Sequence, residues 1–128
     1  MKHKTERRRR NQRFSLRARL DSFRYAFDGL ITMIFEQHNA RIHLVVTLAV
    51  LALGLLTGLE SIEWMMVILA ICLVWMAEAV NTALESLADA AVPEAHELVA
   101  KAKDVAAAAV LIAAVFSVIV ALWAFWPF

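Results

Sequence analysis

Three carboxylates and a carboxamide interrupt an otherwise apolar stretch: Glu78, Asn81, Glu85 and Asp89. On a helix turning about 100° per residue, the four fall within an arc of about 80°. Carboxylates gathered this closely repel one another unless a cation neutralises them. Their hard oxygen donors suit Mg²⁺ far better than zinc. A helix end wetted among lipid headgroups carries the same pattern, and spacing alone leaves both readings open. Further on stand Lys103 and Asp104. Lys103 can meet a phosphate as a point charge; Asp104 can share that work or cap a helix N-terminus. Upstream, in Phe35-Glu36-Gln37-His38-Asn39-Ala40-Arg41-Ile42-His43, Glu36 is a further oxygen donor. Arg41 is placed as a headgroup anchor, and His43 as an interfacial residue facing its neighbours. His96 and Glu97 stand in a connection from which they can contact a nucleotide, although their spacing is a weak signal. Neither GxxxxGK[ST] nor GxGxxG occurs, so a nucleotide site here is not built as a P-loop or a dinucleotide-binding turn.

The elements that must carry these residues follow from composition. Hydrophobic residues make up 62% of the 128, and mean hydropathy is +0.65. A soluble domain of this size has too little interior to hide that much apolar surface. Three uncharged runs stand out, residues 42–59, 64–77 and 105–128. Crossing about 30 Å of hydrocarbon takes about 20 helical residues. The first and third runs suffice, with Pro127 at the far end of the third. The second covers only about 21 Å, so it must continue through Ala77-Glu78-Ala79-Val80-Asn81. That continuation draws Glu78 and Asn81 to the edge of the span. The spans are therefore expected at about 41–59, 63–88 and 105–126.

The net charge of +1 conceals two unlike parts. Residues 1–24 hold ten Lys or Arg against two acids; the remainder holds three against ten. A basic segment on an acidic, apolar body suits anionic headgroups and the positive-inside rule rather than a nucleic-acid domain, so no nucleic-acid partner is expected. With that segment and the Pro93 connection inside, the Glu60–Glu63 turn falls outside, and Trp123 and Trp126 mark one interface. Leu16, Leu20, Phe23, Phe27, Leu30 or Ile31, and Ile34 recur at helical steps among arginines, which predicts an amphipathic surface helix. Residues 1–13 are expected to be a disordered basic tail and residues 14–128 a single domain. No cleaved secretory signal is read. The one cysteine, Cys72, is expected to be a small buried apolar residue. The fold class is all-α: a polytopic membrane protein with three transmembrane helices after an N-terminal surface helix.

In these residues the chain resembles the small prokaryotic integral-membrane lipid kinases, the diacylglycerol kinase and undecaprenol kinase family. Three segments carry the likeness: Glu78-Ala79-Val80-Asn81-Thr82-Ala83-Leu84-Glu85 followed by Asp89; Ala102-Lys103-Asp104 with the small residues after it; and Asn39-Ala40-Arg41-Ile42-His43-Leu44. The resemblance covers about Phe23 to Trp123. It implies transfer of the ATP γ-phosphoryl group to a membrane lipid hydroxyl, with Mg²⁺, in a homotrimer whose sites are shared between subunits of a bacterial inner membrane. It matches Glu78 to the general base, Glu85 to a metal ligand, and Asn81 and Asp89 to supporting polar residues. Lys103 matches the phosphate contact, with Asp104 beside it. One position departs. Where the family carries a metal-binding glutamate before the first span, this chain has Gln37, and Glu36 lies one residue earlier. A one-residue shift that brings Glu36 into the site is the favoured reading, with Gln37, Asn39, Arg41 and His43 in support.

The Asn39–Leu44 string is similar to the undecaprenol-preferring branch, so undecaprenol is the expected acceptor and diacylglycerol the alternative. Two other classes compete on the residues alone. A small cation transporter would use the carboxylate face as a path, although no charge continues it across the span. An assembly protein without chemistry would leave the carboxylates in water.

Overall fold

The computed structural model describes residues 15–126, all helical apart from short joints. Four helices follow in order: α1 Leu16–Glu36, α2 His38–Thr57, α3 Ser61–Ala91 and α4 Glu97–Phe125. The last three are long and apolar enough to cross a membrane, so this is an all-α integral membrane protein. The expected basic tail at 1–13 and the closing Pro127 lie outside the described residues.

The chain divides into two units, one ending at Ile31 and the other beginning at Thr32. Within the first, α1 opens on Ser15, whose Oγ accepts from the Ala18 amide at 3.4 Å. Its Leu16, Leu20, Phe23 and Phe27 are all exposed, and Arg24 pairs with Asp28 one turn on.

In the second unit, α1 breaks at Gln37, which is extended (φ −100°, ψ 123°). A break leaves carbonyls without intrahelical partners. Arg41 supplies them, donating from Nη2 to the Phe35 carbonyl at 2.8 Å and from Nε to the Ile34 carbonyl at 3.3 Å. It therefore closes the joint from the first turn of α2. At its other end α2 stops at Gly58, whose φ of 72° favours glycine. Here α2 also comes close to α3: a Cβ on Gly54 would lie 2.8 Å from the Trp64 ring. The residues read as a turn are mostly helix. Glu60 and Glu63 cap α3 reciprocally, the Glu63 side chain accepting from the Glu60 amide at 2.7 Å.

α3 and α4 form the main packed pair, with Val67, Ala70, Val120 and Ala124 buried between them. Small residues let two backbones approach where lipid offers no hydrophobic drive. Ser117 Oγ reaches across to the Ala70 carbonyl at 3.5 Å. α2 is tied to α3 by Trp75, whose Nε1 donates to Thr47 Oγ1 at 3.0 Å. Large apolar side chains such as Leu56, Leu111 and Ile112 face outward, the inversion of a soluble fold that three membrane helices require. Two expectations need correction. Cys72 is exposed rather than buried, because it falls on the outer side of α3. Asp104 does not cap the third span, because α4 begins at Glu97 and is capped by His96, whose Nδ1 accepts from the Leu98 amide at 3.2 Å.

Candidate active site

α3 is 31 residues long, and its length sets the site. At about 1.5 Å per residue, Glu78 lies about 26 Å from Ser61, Glu85 about 36 Å and Asp89 about 42 Å. A hydrocarbon core of about 30 Å measured from Ser61 would end between Glu78 and Glu85. Burial follows the same gradient. Glu78 is 1% exposed, Asn81 is buried and Glu85 half-buried, while the Asp89 side chain is 71% exposed.

A carboxylate sealed among apolar helices is costly unless it finds partners. Glu78 Oε2 has no hydrogen bond among the described residues. The nearest cationic candidate is His43 Nε2, on α2, 3.9 Å away. One turn along α3, Asn81 Nδ2 donates to Glu85 Oε1 at 3.1 Å. Asn81 Oδ1 stays buried and unpartnered, as does Thr82 Oγ1. Three buried polar atoms without partners in one turn and a half is an unusual concentration. Thr82 is the residue the sequence reading passed over. Threonine is common on apolar helix faces, and only its place beside Asn81 hints at a further role.

At the exposed end, Lys103 of α4 bonds directly to Asp89 Oδ1 of α3. The antiparallel register of the two helices makes this contact, bringing a cation to the acidic face. Asp104 is exposed on the next position, and Glu97 lies exposed in the first turn of α4. With His96 capping that turn, this group gathers around the α3–α4 connection. His96 also lines an apolar pocket there, with Leu84, Ala88, Val92 and Val99.

The segment before α2 is arranged differently. Glu36 is the exposed last residue of α1, Gln37 the half-buried joint, and Asn39 exposed in the first turn of α2. Among the described residues, no three His, Cys, Asp or Glu side chains converge as a ready-made metal cage. Within one chain, then, the structure joins Glu78 with His43, Asn81 with Glu85, and Asp89 with Lys103. No such contact ties Glu36 to Glu85.

Such a graded polar face suits chemistry between a lipid and a water-soluble charged partner. Residues 24–125 match the family model for prokaryotic diacylglycerol kinase. The chain is 46% identical over 102 residues to the diacylglycerol kinase of Synechocystis sp., across 79% of this chain but only 58% of that longer protein. It is 38% identical over 106 residues to the undecaprenol kinase of Bacillus subtilis, across 83% of this chain and 86% of that one. The diacylglycerol kinase of Escherichia coli K12 is 32% identical over 95 residues, or 74% of this chain and 78% of its own. A match that runs from the middle of α1 to the last residue of α4 takes in every helix that builds the polar face, and on that ground the chain belongs to the prokaryotic diacylglycerol kinase family.

Proposed function

We propose that this protein is a lipid kinase that moves the γ-phosphoryl group of ATP to the hydroxyl of a membrane lipid, at the end of the bundle where α3 leaves the hydrocarbon. The gradient along α3 carries the reading. A base for a lipid hydroxyl belongs at lipid depth, and polyphosphate belongs in water. Buried Glu78 and exposed Asp89, the latter paired with Lys103 of α4, share one face of α3, which supports this reading.

Phosphoryl transfer asks for positioning and charge neutralisation more than covalent chemistry from the protein. Glu78 accepts the acceptor's hydroxyl proton; the freed oxygen forms the bond to the γ-phosphorus. The bond from that phosphorus to the β–γ bridging oxygen breaks, and ADP leaves with the electron pair. Lys103, held extended by Asp89, stabilises the charge on the phosphoryl oxygens. Asn81 holds Glu85 oriented. The donor set fits Mg²⁺: a half-buried carboxylate in Glu85, the unpartnered Asn81 Oδ1 beside it, and no all-protein cage, which Mg²⁺ does not need when phosphate oxygens complete its shell. Bound there, Mg²⁺ would neutralise polyphosphate charge. Glu36 would be its second carboxylate, reached by a shift at the Gln37 joint. His96, Glu97 and Asp104 would line the nucleotide side, with Asn39 and Arg41 holding the joint.

The acceptor is proposed to be undecaprenol, on the Asn39–Leu44 string; the 46% identity to a diacylglycerol kinase favours diacylglycerol as the second reading. A homotrimer in a bacterial inner membrane, with its N-terminus and site on the cytoplasmic side, completes the proposal. The exposed apolar flanks of α2 to α4 are consistent with lipid or sister-subunit neighbours. The test is Mg·ATP-dependent phosphorylation of undecaprenol and diacylglycerol, side by side in mixed micelles. Product from undecaprenol at the higher kcat/KM is expected; the reverse ratio moves the assignment to diacylglycerol. Product from neither lipid, with cation flux into liposomes, would replace the kinase by a transporter.

A further inference from the structure

His43 has an unusual place. It stands on α2, half-buried, with Nε2 directed at a carboxylate on α3. The separation from Glu78 Oε2 is 3.9 Å, too long for a direct hydrogen bond. It is a natural separation for two groups that share one oxygen. An oxygen about 2.8 Å from each closes the gap, with an angle at that oxygen of about 90°. Glu78 Oε2 has no hydrogen bond among the described residues, and because it is sealed from solvent a third oxygen enters only as the Glu78 or His43 side chain turns toward the cavity.

The surroundings indicate which oxygen. His43 also lines a cavity of about 300 Å³ between α2, α3 and α4, walled by Val46, Val50, Val74 and Val118 and without an Asp, Glu, Lys or Arg. An oxygen set between His43 and Glu78 can therefore carry an apolar chain on its far side.

We propose that His43 is the residue that binds and orients the acceptor lipid's hydroxyl, its Nε2–H donating to the hydroxyl oxygen while the hydroxyl hydrogen points at Glu78 Oε2. This rests on the kinase reading above. The donated bond fixes one lone pair of the oxygen and leaves the other to attack phosphorus as the proton passes to Glu78. Water reaching the same phosphorus has no chain to anchor and depends less on His43. Loss of His43 should therefore change the balance between transfer and hydrolysis, which loss of packing alone would not do.

The experiment compares wild type, His43→Leu and His43→Gln as full-length protein in mixed micelles, measuring lipid phosphate and ADP together. His43→Leu should lower kcat/KM for the lipid by about 10²-fold, leave the KM for ATP within about twofold, and raise the share of ADP released without lipid product. His43→Gln, which keeps an N–H donor, should recover to within about tenfold of wild type. Wild-type kcat/KM for the lipid in His43→Leu overturns the assignment. So does a parallel loss of transfer and hydrolysis with a raised ATP KM in both variants, the mark of a structural residue. Wild-type protein that phosphorylates no lipid overturns the kinase reading and this one with it.

Discussion

The two ends of the α3–α4 pair use the same small-residue packing for opposite purposes. At the end near Ser61, Val67, Ala70, Val120 and Ala124 close a dry seam, and Gly54 lets Trp64 lie against α2. The polar groups bonded there are the Glu60–Glu63 cap, Thr57 Oγ1 on the Leu53 carbonyl and Ser117 Oγ on the Ala113 carbonyl. At the other, open end, near Ala91, where Asp89 is exposed, the same helices bury Glu78 and Asn81, and polar atoms there are left without partners. A fold selected only for stability would not leave them so. The difference shows where stability was given up, and the first end supports the second.

The largest effect should come from separating charge from shape at the open end. Glu78→Gln keeps the side chain's size and removes the proton acceptor. Lipid phosphorylation should fall by about 10³-fold, within the span of general-base losses. Thermal stability should hold or rise, since the buried carboxylate is a burden on the fold. Turnover at the wild-type rate would end the assignment of Glu78 as base, and loss of folding would place Glu78 with the dry seam instead.

Lys103→Met comes next. It preserves the stem of the side chain and deletes the cation. A drop of about 10²-fold in kcat/KM for ATP is expected, as for an electrostatic contact made to transferring phosphate, with the KM for lipid little changed. An equal rise in both KM values would mean that Lys103 organises the α3–α4 end as a whole.

How much of this contrast was legible beforehand depends on the kind of signal. The open end announced itself because a run of 14 apolar residues is too short to span, so α3 had to carry Glu78 and Asn81 into the boundary. Helical period then placed Glu85 and Asp89 on the same face. What could not be read is what depends on a second helix. The Asp89–Lys103 bond requires the antiparallel register of α3 and α4. The approach of His43 to Glu78 requires α2 to lean in at that height. The start of α4 was masked by charge: Ala100-Lys101-Ala102-Lys103-Asp104 reads as a polar connection. Yet helix propensity and the His96 cap carry the helix back to Glu97. Arg41 looked like a headgroup anchor because its partners, the last carbonyls of α1, are backbone atoms that leave no mark in the sequence.

The closed end should answer to volume rather than charge. Gly54→Val places a branched side chain where even a Cβ would meet the Trp64 ring at 2.8 Å. Overpacking of this kind costs about 1–3 kcal/mol. Unfolding in detergent should show that loss, while kcat per folded molecule stays near wild type. A variant with full stability would mean that Trp64 swings clear at no cost. A variant with full stability and poor activity would erase the division between the two ends.

The smallest effect on the fold is expected where polar groups are already wet. The Asp89 side chain is 71% exposed and Lys103 about one third exposed. An ion pair in that setting contributes about 0–1 kcal/mol, so Asp89→Asn should barely move the unfolding midpoint. Its effect on catalysis follows from the partner it holds. If Asp89 keeps Lys103 extended toward the phosphates, the amide still accepts a hydrogen bond, and activity should drop only severalfold, with less of that drop at high salt where the wild-type pair is itself screened. A loss as deep as that of Lys103→Met, insensitive to salt, would instead make Asp89 a direct contact of the bound nucleotide and extend the catalytic face by one more turn of α3.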